Sequence, residues 1–391
     1  MTTTTVNETI RPFRIEVPDA ELDDLRHRLA TARWPEPRPD GRSDFARGVP
    51  LAYLEEVAAY WAESYDWRAH EARLNELPQF TTEIDGQAIH FLHVRSPEPD
   101  ALPLLVVHGY PSSVAEFLDI VGPLADPRSF GGDPADAFHV VVPSLPGFGW
   151  STPVEEAGWE MGRSTEAFAE LMNRLGYDRY ATHGADIGAG VAGRLAAIRP
   201  DNVVGALVAS EPRSLGLAGE QFPIPDHLTD DERARVDAER AAWVEERDYL
   251  DLQAHRPETI AAALTDSPVA QLAWIAEKYA TWTNSAAATP DDAVGRDQML
   301  TNVSIYWFTR SGATAARFLS EAADSDLDWI APSAVPNGWT VFDTEPILRR
   351  FMDPDHSFAF WAEHEEGGHF PALEAPALLV DDIRAFLRPL R

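Results

Sequence analysis

Between residues 102 and 210 the chain carries four short apolar runs, Leu104–Val107, Phe138–Val142, Tyr180–Thr182 and Val203–Ala209, separated by amphipathic stretches. Such alternation predicts parallel strands joined by crossover helices. Upstream, Phe80–Ile84 and Ala88–Arg95 read as strands joined by Asp85-Gly86, a dipeptide that supplies the positive φ of a tight hairpin. Earlier still, Leu22, Leu25 and Leu29 share one face of a helix over Asp19–Arg33, which ends before the Trp34-Pro35 breaker, and a second helix follows over Leu51–Ser64. The strand rhythm breaks at Glu211. Residues 211–330 carry helical patterns with no clear strand, including the charged stretch Asp230–Arg247, and the rhythm resumes at Thr340–Phe342 and Ser357–Trp361. The expected organisation is an amino-terminal extension over 1–79, a first core segment over 80–210, a helical cap over 211–335 and a second core segment over 336–391. The fold class is α/β: a mostly parallel sheet flanked by helices, with a cap insertion and a helical extension.

Composition narrows the function classes. The 391 residues include 64 acidic and 32 basic side chains, a formal charge of −32. Polyphosphate backbones and anionic membrane surfaces recruit Lys and Arg, so neither nucleic acid nor membrane is expected as a partner. There is no cysteine, which removes thiol nucleophiles, disulfides and thiolate metal sites. Lys278 is the single lysine. Arg, Ala, Pro and Asp dominate elsewhere, a bias typical of a high-GC genome such as that of an actinobacterium. Met1–Glu16 is Thr-rich and then charged, without the apolar stretch of a leader, and the expected location is the cytoplasm.

Three motifs could carry chemistry. Gly184-Ala185-Asp186-Ile187-Gly188 follows a strand and opens the Ala-rich helix Gly190–Ile198, the context of a nucleophile elbow, with aspartate where G-x-S-x-G has serine. The competing role for Asp186 is an N-cap that satisfies free amides at the helix start. His108-Gly109-Tyr110-Pro111 follows Leu104–Val107. In α/β-hydrolases the loop after this strand gives one oxyanion-hole amide, here of Tyr110, and the residue after the nucleophile, Ile187, gives the other. Pro143-Ser144-Leu145-Pro146-Gly147-Phe148-Gly149 leaves the next strand as a Gly/Pro-rich loop. Last, Gly367-Gly368-His369-Phe370 sits where this fold keeps its general base. Asp343, Glu345, Asp353 and Asp355 lie between the preceding strand and His369, and nearness to the strand end favours Glu345 or Asp343 as the acid partner. His364 and His369 flank Glu365-Glu366 without the i, i+4 histidine spacing of a helical zinc site, so no metal and no cofactor is expected. A carboxylate attacking saturated carbon leaves an ester that water can hydrolyse, whereas serine would leave an ether. Aspartate at the elbow therefore points to displacement at carbon, as in epoxide opening or dehalogenation.

Over nearly its whole length the chain resembles the microsomal-type epoxide hydrolases. The resemblance rests on Arg11-Pro12-Phe13, Thr31-Ala32-Arg33-Trp34, Asp66-Trp67-Arg68, Leu77-Pro78-Gln79-Phe80, Asp266-Ser267-Pro268, Thr281-Trp282-Thr283-Asn284 and the core motifs above. It implies an α/β-hydrolase fold, Asp186 as nucleophile, His369 as base and Glu345 as its acid, although the interval from Glu345 to His369 is slightly short for the family. Of the family's two cap tyrosines that activate the epoxide, Tyr249 in Arg247-Asp248-Tyr249 matches the first. The second is replaced: Arg-Phe-Tyr is here Arg317-Phe318-Leu319. Tyr306 lies thirteen residues before Leu319, on the opposite helix face, and is expected in the core. Leu319, His108 and Pro111 are expected to line the substrate pocket.

The resulting expectation is a cofactor-independent epoxide hydrolase that converts a small-molecule epoxide and water to a vicinal diol through an Asp186 ester. A homodimer is among the assemblies left open. The enzymatic rival, a haloalkane dehalogenase, resembles proteins with a Trp after the nucleophile, where Ile187 stands here; the non-enzymatic rival is a ligand-binding protein that keeps the fold. Substrates range from bulky natural-product epoxides of secondary metabolism and antibiotic biosynthesis, such as enediyne precursors, to the mixed epoxides of detoxification.

Overall fold

The computed structural model describes residues 9–41, 43–221, 223–325 and 333–391. Among the described residues nine strands form one sheet: β1 (Arg11–Phe13), β2 (Gln79–Ile84), β3 (Gln87–Val94), β4 (Leu102–Val107), β5 (Phe138–Pro143), β6 (Tyr180–Ala185), β7 (Val203–Ser210), β8 (Asn337–Phe342) and β9 (Phe360–His364). Their order is β1-β2-β3-β5-β4-β6-β7-β8-β9. The first three strands and the β3–β5 pair are antiparallel, and every pair from β5 onward is parallel. From β4 the chain steps outward to β5 and then crosses back to β6 on the other side of β4. That reversal opens a crevice at the carboxyl ends of β4 and β6, where open α/β sheets bind ligands.

The apolar runs are continuous because both faces of the sheet are covered. In β4, Leu105 and Val107 enter one buried cluster while Leu104 and Val106 enter another on the opposite face, the two-residue period of a strand between two helix layers. The first layer includes the extension helices α1 (Asp19–Ala30), α2 (Leu51–Glu63) and α3 (Trp67–Leu74), and the core helices α5 (Met161–Arg174) and α6 (Ile187–Ile198); α4 (Leu118–Ala125) follows β4 on the other face. Leu22, Leu25 and Leu29 are all buried, as their spacing predicts. Between β7 and β8 the described residues form eight helices: α7 (Arg213–Gln221), α8 (Asp230–Glu246), α9 (Asp248–His255), α10 (Pro257–Asp266), α11 (Pro268–Trp282), α12 (Pro290–Val294), α13 (Arg296–Thr309) and α14 (Ser311–Asp324). After β8 come α15 (Pro346–Met352), α16 (Pro371–Glu374) and α17 (Pro376–Leu387). The extension grips this insertion: Trp61 donates to Ser304 at 3.0 Å, and the Tyr65 and Thr301 hydroxyls meet at 3.0 Å.

Two elements differ from the sequence expectation. β1 is a three-residue edge strand around Pro12, too short for a periodicity to register and tolerant of proline only because it lies at the edge. The last strand begins at Phe360 rather than Ser357. Asp353 Oδ1 accepts from the Ser357 and Phe358 amides at 2.5 and 3.2 Å, and so holds that stretch in a turn.

Candidate active site

β6 ends at Ala185 and α6 begins at Ile187, so Asp186 alone makes the turn, at φ 54° and ψ −126°. A non-glycine residue adopts such a backbone only where its surroundings impose it, which is characteristic of functional elbows. The surroundings here are close backbone contacts. A Cβ at Gly188 would collide with the Val107 carbonyl, and one at Gly109 would collide with the Asp186 side chain.

The Asp186 carboxylate does not cap the helix. Its Oδ1 instead accepts from the Tyr110 amide at 2.8 Å, and its Oδ2 faces His369 Nε2 at 3.7 Å. One oxygen is thus already held by an expected oxyanion-hole amide, while the other lies open beside an imidazole. Ile187, the other expected donor, is the first residue of α6, where helix amides lack intrahelical acceptors. His369 is placed by its own amide, which donates to the Trp282 carbonyl at 2.9 Å, and by packing of its ring on Trp282 and Phe370.

The acid beside His369 differs from the expectation. Nδ1 lies 3.3 Å from Glu211 Oε1, directly after β7, with Arg213 Nη2 3.1 Å from the same nitrogen. Burial works to raise the Glu211 pKa, but Arg213 and His369 outweigh it and hold the carboxylate down at about 2. The two contacts favour opposite tautomers: Arg213 can only donate, to a bare Nδ1, whereas Glu211 accepts from a protonated Nδ1 and so leaves Nε2 bare toward Asp186. Glu345 caps α15, accepting from the Ile347 amide, and pairs with Arg235 at 3.0 Å. Asp343 accepts from Ser285, and Asp353 from the 357–358 turn. None of these three makes a hydrogen bond or ion pair with His369 among the described residues. Glu211 could have been found by the rule applied to β8, since it too stands at the carboxyl end of a parallel strand.

Tyr249, on α9, shares a narrow cavity of about 90 Å³ with Asp186, Glu211, Arg213, Trp243, Trp282 and His369. Its ring is parallel to that of Tyr110 at 6.2 Å and edge-on to Trp282 at 5.1 Å. Burial and then the Asp186 charge hold its hydroxyl protonated well above the ordinary range. Leu319 is buried on α14, an apolar side chain with no donor. Tyr306 is buried as expected, its hydroxyl donating to the Ser112 carbonyl at 3.0 Å, but it lies on α13 and Leu319 on α14, separated by the left-handed Arg310, so the two do not share a helix. Leu319, His108 and Pro111, all expected in the pocket wall, are not among the residues that line the cavity at Asp186. His108 is buried and held neutral, with a pKa of about 4; its Nδ1 is 2.9 Å from the Gly109 carbonyl and its Nε2 accepts from Leu145 N. The Pro111 carbonyl accepts from Asn302. Sequence reasoning also passed over Glu116, a buried carboxyl that desolvation pushes up to about 7 in the neighbourhood of Asp186 and His369. Among the described residues no group of three or more His, Cys, Asp or Glu could hold a metal, and no helix is long and apolar enough to cross a membrane.

An aspartate elbow at the sheet's switch point, an oxyanion-hole amide from the loop after β4 and a late histidine define a protein of the α/β-hydrolase fold. The family model for that fold matches residues 103–315, and the model described as the epoxide hydrolase N terminus matches residues 10–117. A Stigmatella aurantiaca protein whose name proposes an epoxide hydrolase is 42% identical over 98% of this chain and 86% of its own, and epoxide hydrolase 1 of Sus scrofa is 32% identical over 97% and 89%. The structure of Aspergillus niger epoxide hydrolase superposes with a TM-score of 0.81 at 28% identity, covering 99% of this chain and 98% of that one. This chain belongs to the microsomal-type epoxide hydrolase family.

Proposed function

We propose that the protein hydrolyses an epoxide to a vicinal diol in two steps through an ester on Asp186. The observation that carries the reading is the division of labour between the two carboxylate oxygens. Oδ2 attacks an epoxide carbon and the carbon–oxygen bond breaks, while Tyr249 gives its proton to the departing oxygen. Oδ1 becomes the ester carbonyl oxygen and stays at the Tyr110 amide, where negative charge gathers when water attacks. His369 Nε2 takes the proton of that water, and Glu211, rather than the expected Glu345, stabilises the resulting imidazolium through Nδ1. As the bond between the Asp186 carboxyl carbon and the substrate oxygen breaks, that oxygen takes the second proton of the attacking water, and the proton gained by His369 returns to the Tyr249 oxygen, so epoxide plus water balances to diol.

Leu319 leaves Tyr249 as the one cap tyrosine in the activating role. A cavity of about 90 Å³ is well below the roughly 300–1,000 Å³ of pockets that enclose drug-sized ligands. A bulky natural-product epoxide therefore requires outward movement of the helices that carry Trp243 and Tyr249, whereas the small epoxides of a detoxifying, cytoplasmic enzyme require less. Conversion of His369 to Gln tests the two-step scheme: ring opening survives, ester hydrolysis falls by about 10²–10⁴, and mass spectrometry finds protein heavier by one substrate. Unmodified protein that turns over normally would remove His369 from the mechanism.

A further inference from the structure

The single lysine of this chain is not on its surface. Lys278, on α11, is 2% exposed, and its Nζ lies 4.3 Å from the centre of the Tyr249 ring and 5.3 Å from that of Trp282. Two carboxylates compensate the buried charge, Glu246 at 2.9 Å and Glu277 at 2.8 Å, without which its burial would be prohibitive. The position is fixed from three sides. Glu246 Oε1, at the end of α8, also accepts from Trp282 Nε1 at 2.7 Å, and Trp282 in turn packs on Tyr249 and His369. A lysine is a compact point charge on a flexible stem, and here that freedom has been removed.

We propose that Lys278 is a positioning residue for ring opening, its ammonium stabilising the charge that gathers on the Tyr249 phenol as its proton passes to the epoxide oxygen. The proposal rests on the acid role given to Tyr249 above. A neutral phenol already offers a negative ring face to a cation. As the O–H bond breaks, charge spreads from the oxygen into the ring, so the attraction is stronger in the transition state than in the ground state. Only such a difference accelerates the chemical step. Of the other charges that act on Tyr249, Arg213 favours the phenolate while Asp186 and Glu246 oppose it, so the share of Lys278 is what is lost when the ammonium alone is removed and the carboxylates stay. Half a charge developing about 4 Å from an ammonium, at an effective dielectric near 20, corresponds to about a thirtyfold effect on rate.

The test is a rapid-mixing measurement of ester formation and ester hydrolysis on styrene oxide, followed by intrinsic tryptophan fluorescence. It compares wild type, Lys278→Met, Lys278→Arg, Tyr249→Phe and the double variant Tyr249→Phe/Lys278→Met. Lys278→Met should slow ester formation about thirtyfold and leave substrate affinity and ester hydrolysis little changed, and Lys278→Arg should recover most of the loss. In the Tyr249→Phe background, Lys278→Met should cost almost nothing further, because the charge it stabilises no longer forms. An equal loss in both backgrounds, or a parallel loss of ester hydrolysis, would show that Lys278 merely holds α11 to α8 and would overturn the proposal. Should Lys278→Met not fold, Lys278→Gln removes the positive charge alone while its amide can still donate to Glu246, and the same outcomes apply. Wild-type ester formation by Tyr249→Phe would instead overturn the acid role itself, a result separate from any effect of Lys278.

Discussion

Converting Glu211 to Gln leaves the shape of the site intact and removes the charge that faces His369. Glu211 Oε1 is 3.3 Å from Nδ1. At an effective dielectric near 20, a full charge on the imidazolium at that distance interacts by about 5 kcal/mol. Arg213, 3.1 Å from the same nitrogen, opposes the imidazolium and loses its own counter-charge in the variant. Side-chain rearrangement and water will recover part of the deficit, so ester hydrolysis should fall by about 10²–10³, within the range of general-base contributions. Ring opening draws on Asp186 and Tyr249 and should change much less. In a rapid-quench experiment the variant therefore accumulates ester and kcat follows its slow decay. Glu345→Ala is the control: it removes the cap of α15 and the Arg235 pair, costs about 1 kcal/mol of stability and leaves both steps near wild type. If Glu345→Ala stalls ester hydrolysis while Glu211→Gln does not, the acid role belongs to Glu345 and the reasoning from the Glu211 contact is wrong.

Removal of the Tyr249 hydroxyl as Phe should nearly abolish ring opening, since losing one preorganised donor costs about 10²–10³ in rate. Leu319→Tyr should keep or raise activity on styrene-type epoxides, and retention of most activity by Tyr249→Phe in the same steady-state assay would mean that another cap donor exists. Glu116 gives a pH-dependent outcome. Its folded pKa of about 7 exceeds the ordinary 4.5, so the stability tied to its neutral form is fully present below pH 4.5 and is lost as pH rises through 7. At about 1.36 kcal/mol per pH unit the loss is about 3 kcal/mol. Glu116→Gln should therefore raise Tm relative to wild type at pH 8 but not at pH 4.5, and an equal shift at both would show that the carboxyl is not held neutral.

Much of this was legible in the sequence for steric reasons. The elbow could be read because Gly188 and Gly109 face backbone and side-chain atoms with no room for a Cβ, a constraint that survives without any structure. The alternating clusters on the two faces of β4 made the parallel core visible as uninterrupted apolar runs. The acid beside the histidine was missed for a different reason. Several strands end at the same edge of a parallel sheet, and Ser210 pairs with Val341, so Glu211 and Asp343 emerge side by side from β7 and β8. Chain order cannot decide which of two adjacent strand ends reaches His369. His108, whose ring nitrogens both meet backbone partners, shows that closeness to the elbow in sequence does not set which way a side chain points. The surroundings of Lys278 depend on α8, α9 and α11 meeting, contacts that no local pattern encodes.

The most direct test of the account is a single turnover in ¹⁸O-water with enzyme in excess over epoxide. An ester on Asp186 requires water to attack the carboxyl carbon, so the label should enter the Asp186 carboxylate and be found by mass spectrometry in the peptide that contains it, while the first diol formed carries none. Label in the diol with an unlabelled Asp186 peptide would mean that water attacks the epoxide directly, and the nucleophilic role of Asp186 would be contradicted.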